Sequence, residues 1–170
     1  MNNLIFCTKK NNDLIKALKY SGYNPVICRN ISEAFNKAED ESAILFFSDS
    51  YPSASFKLTP SIIKEIKRRK LKAYIEYPLS INDKLTEDPK TIKYERAIIQ
   101  NDFFNNNPAK YSICYINGCW YRSFEGLSDA CISIAKVAGY DSLAYNMPKD
   151  AIPILGYLNG DMDLLVCSTC

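Results

Sequence analysis

The 170-residue sequence contains no histidine. This excludes Ser-His-Asp and Cys-His nucleophile systems, histidine-ligated zinc and histidine phosphorelay, all of which need an imidazole. No apolar run approaches the roughly 18 residues a membrane-crossing helix requires, so neither a transmembrane helix nor a membrane partner is expected. Glycine is scarce, with six in the chain. None follows the first strand-like run: Phe6-Cys7-Thr8-Lys9-Lys10 has neither the dinucleotide-binding fingerprint nor a Walker A loop. Net charge is only +2, from 21 basic and 19 acidic side chains, too little to indicate a nucleic-acid partner. No leader-like stretch precedes the first run, and the cysteine count of seven is odd. A reducing compartment, the cytoplasm, is therefore the expectation.

With 47% hydrophobic residues, the chain has the composition of an ordinary globular core and the length of one domain, residues 1–170. Asn3–Cys7 reads as a strand, followed by a helix capped by Asn11 or Asn12, with apolar positions Leu14, Ile15, Ala17 and Leu18 and a stop at Gly22. Pro25–Cys28 is a second strand. Ser32 or Asn30 then opens a short helix with Ala34, Phe35 and Ala38. Ala43–Phe47 is uninterrupted and apolar, the pattern of a strand buried on both faces. Thr59-Pro60 is an N-cap followed by proline at the first helical position, with Ile62, Ile63 and Ile66 as the apolar stripe and Glu65/Arg69 paired outside. Lys72–Tyr77 is the fourth strand. This βαβαβαβ order predicts an α/β fold with three layers, a parallel sheet covered by helices on both faces.

After Pro78 the pattern changes. Residues 79–92 read as loop, and β-rich segments follow at Tyr94–Ile99, Tyr111–Ile116, Trp120–Arg122 and Ala130–Val137. Asn117-Gly118 predicts a hairpin turn, and Ile152–Leu158 with Met162–Cys167 predicts a second hairpin around Asn159-Gly160. The C-terminal half should therefore add antiparallel hairpins. The last strand is followed by three residues, so the chain is expected to be an N-terminal fragment of a longer protein.

Charge is unevenly placed: residues 1–85 carry 14 basic and 9 acidic side chains, residues 86–170 carry 7 and 10. The excess lies largely in Lys64, Lys67, Arg68, Arg69, Lys70 and Lys72, expected on the solvated face and C-terminus of one helix. Asp49, after the third strand, occupies the place of a receiver phosphoacceptor. The acidic residues that would hold Mg²⁺ after the first strand are replaced by Cys7-Thr8-Lys9-Lys10. Cys119 lacks a base to lower its thiol pKa and reads as a hairpin residue. Cys114, Cys119, Cys167 and Cys170 do not have the loop spacing of a zinc knuckle, so no metal and no cofactor is expected. Tyr74, Tyr77, Tyr111, Tyr115, Trp120, Tyr121 and Tyr140 could stack on sugars, but tyrosine in strands commonly serves packing.

Several segments of the C-terminal half occur in a familiar order: Glu95-Arg96-Ala97, Asn101-Asp102-Phe103-Phe104, the run from Val137-Ala138-Gly139-Tyr140-Asp141 to Met147-Pro148, and Leu164-Leu165-Val166-Cys167-Ser168-Thr169. Residues 94–170 resemble the N-terminal, glutamine-amidotransferase-like, flavodoxin-like domain of bacterial six-hairpin-glycosidase-related proteins. Asn146 departs from the glycine of that pattern. The resemblance implies a flavodoxin-like, class I glutamine amidotransferase-like sheet and a following (α/α) barrel catalytic region. It supplies no catalytic residue. Gly139, Asp141 and Pro148 also read as a structural corner.

The leading expectation is a non-catalytic accessory domain of a larger carbohydrate-active protein, a glycoside hydrolase in the resemblance. It would act by packing against the C-terminal catalytic region of the same polypeptide, with homo-oligomer formation left open. The alternative is a sugar- or nucleotide-binding domain using the crevice at the carboxyl ends of the parallel strands. Thr8, Ser48, Asp49, Ser50, Tyr51, Glu76 and Tyr77 would line that crevice. A third reading makes Asp49 and Glu76 the acid and base of a hydrolase.

Overall fold

The computed structural model describes residues 4–137 and 147–169. Gly139, Tyr140, Asp141, Asn146 and Cys170 lie outside the described residues, and with them the expected corner and the second cysteine of the terminal pair.

The N-terminal half has the expected alternation. Strand β1 (Leu4–Cys7) leads to helix α1 (Asp13–Tyr20), β2 (Val26–Cys28), α2 (Ile31–Lys37), β3 (Ala43–Phe46), a two-residue β4 (Lys57–Leu58), α3 (Pro60–Arg68) and β5 (Lys72–Glu76). Each helix begins where its first turn finds a side-chain acceptor. Asn12 accepts from the N–H of Ile15, Asn30 from Glu33, and Thr59 from Ile62 ahead of Pro60. Helices of seven to nine residues are too short to hold alone. Their apolar residues make up the difference, each buried aliphatic side chain being worth about 1.5–3 kcal/mol.

Strands β1, β2, β3, β5 and the last strand, β14 (Asp161–Cys167), run parallel in the spatial order β2-β1-β3-β5-β14. Four antiparallel strands extend that sheet: β13 (Ile152–Leu158), β12 (Leu127–Ala135), β9 (Arg96–Ile99) and β10 (Ile113–Cys114), for nine strands in all. The β13–β14 hairpin is as expected, with Asn159 and Gly160 both at positive φ, 52° and 73°, as a two-residue type I′ turn requires.

Right-handed crossovers place α1 on one face and α2 with α3 on the other, because β1→β2 runs along the sheet opposite to β2→β3 and β3→β5. Ile5, Ile44, Phe46, Ala73, Ile75, Leu164 and Val166 of the sheet share one buried cluster with Ala34 of α2 and Ile66 of α3. The opposite face is covered less completely. Ile15 of α1 is fully buried, whereas Leu14 is exposed, and Ala43 and Leu45 of β3 are only half-buried. The expectation that both faces of β3 are buried therefore fails: the segments after β5 build more sheet rather than a second helix for that face.

Other expectations also change. Residues 79–92, read as loop, contain β6 (Ser80–Ile81), β7 (Lys84–Leu85) and β8 (Lys90–Thr91). β4, β6 and β7 form a small three-stranded sheet, and β8 pairs with β11 (Trp120–Tyr121). Asn117-Gly118 is a turn but not a hairpin, since β10 pairs with β9 and β11 with β8. The expected Glu65/Arg69 pair is present at 4.0 Å, but each residue has a closer partner: Glu65 pairs with Arg68 at 2.7 Å, and Arg69 reaches across to Asp40 at 2.9 Å and to the carbonyl of Phe35 at 2.7 Å. Among the described residues no helix is long and apolar enough to cross a membrane.

Candidate functional site

The loops after β1, β3 and β5 meet at one end of the sheet, and Asp49 joins the first two. One of its oxygens accepts the Thr8 hydroxyl and the other accepts the Lys9 N–H at 2.8 Å. Thr8 is itself buried, and its N–H donates to the Cys28 carbonyl at 2.9 Å. Glu76, at the end of β5, accepts the Ser48 N–H at 2.9 Å. Both carboxylates thus close strand-end loops onto one another. Both groups are thereby engaged by donors from the loops they brace.

Tyr51 extends the same end toward the β-rich half. Its hydroxyl donates to the Trp120 carbonyl at 3.3 Å and accepts the Trp120 N–H. Thr169 also donates to the Trp120 carbonyl, at 2.8 Å. Tyr77 is fully buried, with φ of 46°. Its N–H donates to the Cys167 carbonyl at 2.7 Å and its ring meets Tyr51 edge-on at 5.1 Å. These contacts hold an aromatic residue in the left-handed region, where a bulky side chain is rare.

The crevice is divided by Asp49 and Phe47 into two lobes of about 530 Å³ each, within the range of small-molecule sites. One lobe, on the α1 side, includes Ser48, Asp49, Tyr51 and Glu76 of the expected set, together with Leu14, Leu45, Phe47 and Tyr74. The other includes Thr8, Asp49 and Ser50, together with Lys9, Arg29, Lys57, Phe56 and Ile62. Tyr77, expected to line the crevice, lines neither lobe; it is fully buried, with its ring against Tyr51. The sequence reading missed Arg29, Lys57, Phe47 and Tyr74 as lining residues. The signal for Arg29 was its place directly after β2, the counterpart of Thr8 after β1.

The thiols nearby are poor nucleophiles. Burial, reinforced by Cys28 and the negative charges of Asp49 and Glu33, pushes Cys7 up to about 11. Burial likewise pushes Cys167 up to about 11, against hydrogen bonds from the Thr169 backbone and Tyr74. Cys114 lies on β10 and Cys119 just before β11, strands that pair elsewhere. Among the described residues no three Cys, Asp or Glu side chains lie together in a metal-binding group.

Of the aromatic residues considered for stacking, Tyr140 lies outside the described residues, and among the described ones only Tyr74 lines the crevice. Tyr121 is buried and Tyr115 is exposed beneath the Arg96 guanidinium, 4.9 Å from its ring centre. No protein-family model, curated protein or solved structure matches the chain.

Proposed function

We propose that this chain is a non-catalytic α/β domain that binds a small molecule in the two-lobed crevice at the carboxyl ends of its parallel strands. The observation that supports it is the position of the crevice. In the order β2-β1-β3-β5-β14, chain direction along the sheet reverses between β1 and β3. Loops on either side of such a switch point diverge and leave a cleft, the usual ligand site of open α/β sheets. The five parallel strands, four from the N-terminal half and β14 from the C-terminal end, follow the 2-1-3-4-5 order, which supports a flavodoxin-like reading of the parallel part of the sheet. Asp49 and Glu76 serve that reading as braces rather than as reacting groups. Titration with glucose, adenosine and adenosine 5′-monophosphate, followed by thermal unfolding, tests it: at least one probe should raise the midpoint, and no change with any of them argues against a ligand crevice.

A second reading is supported by a separate observation. The sheet face beside α1 leaves Leu45, Tyr74, Tyr157 and Leu165 half-buried, with Met162 72% exposed at its margin. An accessory domain that packs against a catalytic region of the same polypeptide, as in glycosidase-related proteins, would cover such a face. Co-expression of the natural downstream region, if there is one, should protect the amides of β3, β5 and β14 from hydrogen exchange. Unchanged exchange there counts against packing through this face.

A further inference from the structure

The distribution of unneutralised charge in the crevice identifies a ligand class. The basic run at the end of α3 is largely consumed internally. Lys67 pairs with Asp161 at 2.8 Å, Arg68 with Glu65 at 2.7 Å, Arg69 with Asp40 at 2.9 Å, and Lys72 with Asp163. The lobe between the loops after β1, β2 and β3 is different. Lys9, Arg29 and Lys57 all line it, and none makes an ion pair within 4.0 Å among the described residues.

Only one carboxylate lines the same lobe. It is Asp49, whose oxygens already accept the Thr8 hydroxyl and the Lys9 N–H. Glu33, the nearest acid to Arg29 along the chain, is not part of the lining; its oxygens accept the Arg29 backbone N–H at 2.8 Å and pair with Lys37 at 2.9 Å, and its charge offsets Arg29 only in part. Three cations and the one carboxylate of Asp49 therefore line the lobe, with Glu33 just outside it, and positive charge is in excess across a concave surface, where field lines focus and attract negative charge. The floor beneath them is apolar, made by Ile31, Phe47, Phe56 and Ile62.

We infer that the lobe bounded by Lys9, Arg29 and Lys57 binds a small organic phosphate, its phosphoryl group on the three cations and its uncharged body on the apolar floor. This rests on the crevice-binding reading and adds the chemical class of the ligand. A phosphate suits the site better than a carboxylate because it carries up to two charges and three acceptor oxygens, enough for two lysines and one guanidinium at once.

The test uses 15N-labelled protein titrated separately with adenosine 5′-monophosphate, adenosine, inorganic phosphate and glucose, read by amide chemical shifts. Adenosine 5′-monophosphate should give saturable shifts at Lys9, Arg29, Ser50 and Lys57, and should bind about tenfold or more tightly than adenosine. The exposed double substitution Arg29→Gln/Lys57→Gln should remove that difference while leaving the spectrum otherwise dispersed. If adenosine or glucose shifts the crevice amides and the phosphate adds nothing, the phosphate assignment fails and the crevice reading stands. Phosphate-dependent shifts that the double variant leaves unchanged also overturn the assignment. No shift in either lobe with any of the four probes overturns both.

Discussion

Asp49 holds the loops after β1 and β3 together through two different donors, so its removal should be felt in both stability and ligand binding. Asp49→Ala should cost about 1–2 kcal/mol, the range for a half-exposed carboxylate that loses hydrogen bonds to its charged form. Asp49→Asn, which retains an acceptor for one donor, should lose less. Urea unfolding of the two variants compares them directly, and equal losses would show that the charge rather than the geometry matters.

The cysteines give a second residue-scale expectation. Cys7 and Cys167 are pushed up to about 11 from an ordinary 9, so both remain thiols near neutrality and should react with an alkylating reagent far more slowly than the unfolded chain. The sign for stability follows from proton binding. Below pH 9 folded and unfolded forms both keep these protons, and the contribution is fully present. Between pH 9 and 11 the unfolded chain releases protons that the folded one holds, so stability falls as pH rises through that window. Urea midpoints measured from pH 8 to 10 should decline, and Cys7→Ala/Cys167→Ala should flatten the decline relative to its own value at pH 8.

At the scale of elements, the helix starts were legible and the short strands were not. Asn12, Asn30 and Thr59 carry their capping signal in their own side chains, within three residues of the N–H they satisfy. Thr59→Ala should therefore cost about 1 kcal/mol, measured by thermal or urea unfolding, with Thr59→Ser close to neutral. The strands β4 and β8 are two residues long and exist through partners far along the chain, such as Thr91 opposite Trp120, while β6 and β7 are equally short and pair with each other across Asn82-Asp83. No local period marks such a pairing. That is also why Asn117-Gly118 misled: the turn is real, but Ile113 on one side pairs with Ile98 and Trp120 on the other with Thr91.

Gly156 marks another feature without a local signature. The β12–β13 register shifts between Ser128 and Ile132, and there a Cβ on Gly156 would lie 2.8 Å from the Ser128 carbonyl oxygen and 3.2 Å from the Ala130 Cα. Because the obstruction is backbone, Gly156→Ala should destabilise by about 1–3 kcal/mol. An alanine variant as stable as the parent would mean that the bulge relaxes freely.

At the scale of the whole molecule, sequence reading placed the crevice because a parallel α/β order dictates which strand ends gather. The structure places Thr8, Asp49 and Ser50 of the expected set in one lobe and Ser48, Tyr51 and Glu76 in the other, with Asp49 lining both. The division into lobes was not legible, since it depends on how Phe47 and Asp49 stand between loops. Nor was the position of β14, which lies beside β5 through pairs such as Leu164 with Ala73, across a C-terminal half that returns to the sheet's centre by a hairpin. The same return ties the crevice to the β-rich half through Tyr51, Trp120 and Thr169. Trp120 is the single tryptophan of the chain, so its fluorescence should report on the integrity of that joint, with Tyr51→Phe shifting the emission and Tyr20→Phe, on the exposed surface, leaving it unchanged.

The central claim is that the parallel strands end in a ligand crevice, and amide chemical-shift mapping with adenosine 5′-monophosphate, adenosine and glucose tests it most directly. Saturable shifts are expected, confined to the loops after β1, β2 and β3, including Thr8, Lys9, Arg29 and residues 48–51. Saturable shifts confined to the opposite end of the sheet or to the β-rich half, or none with any probe, would contradict it.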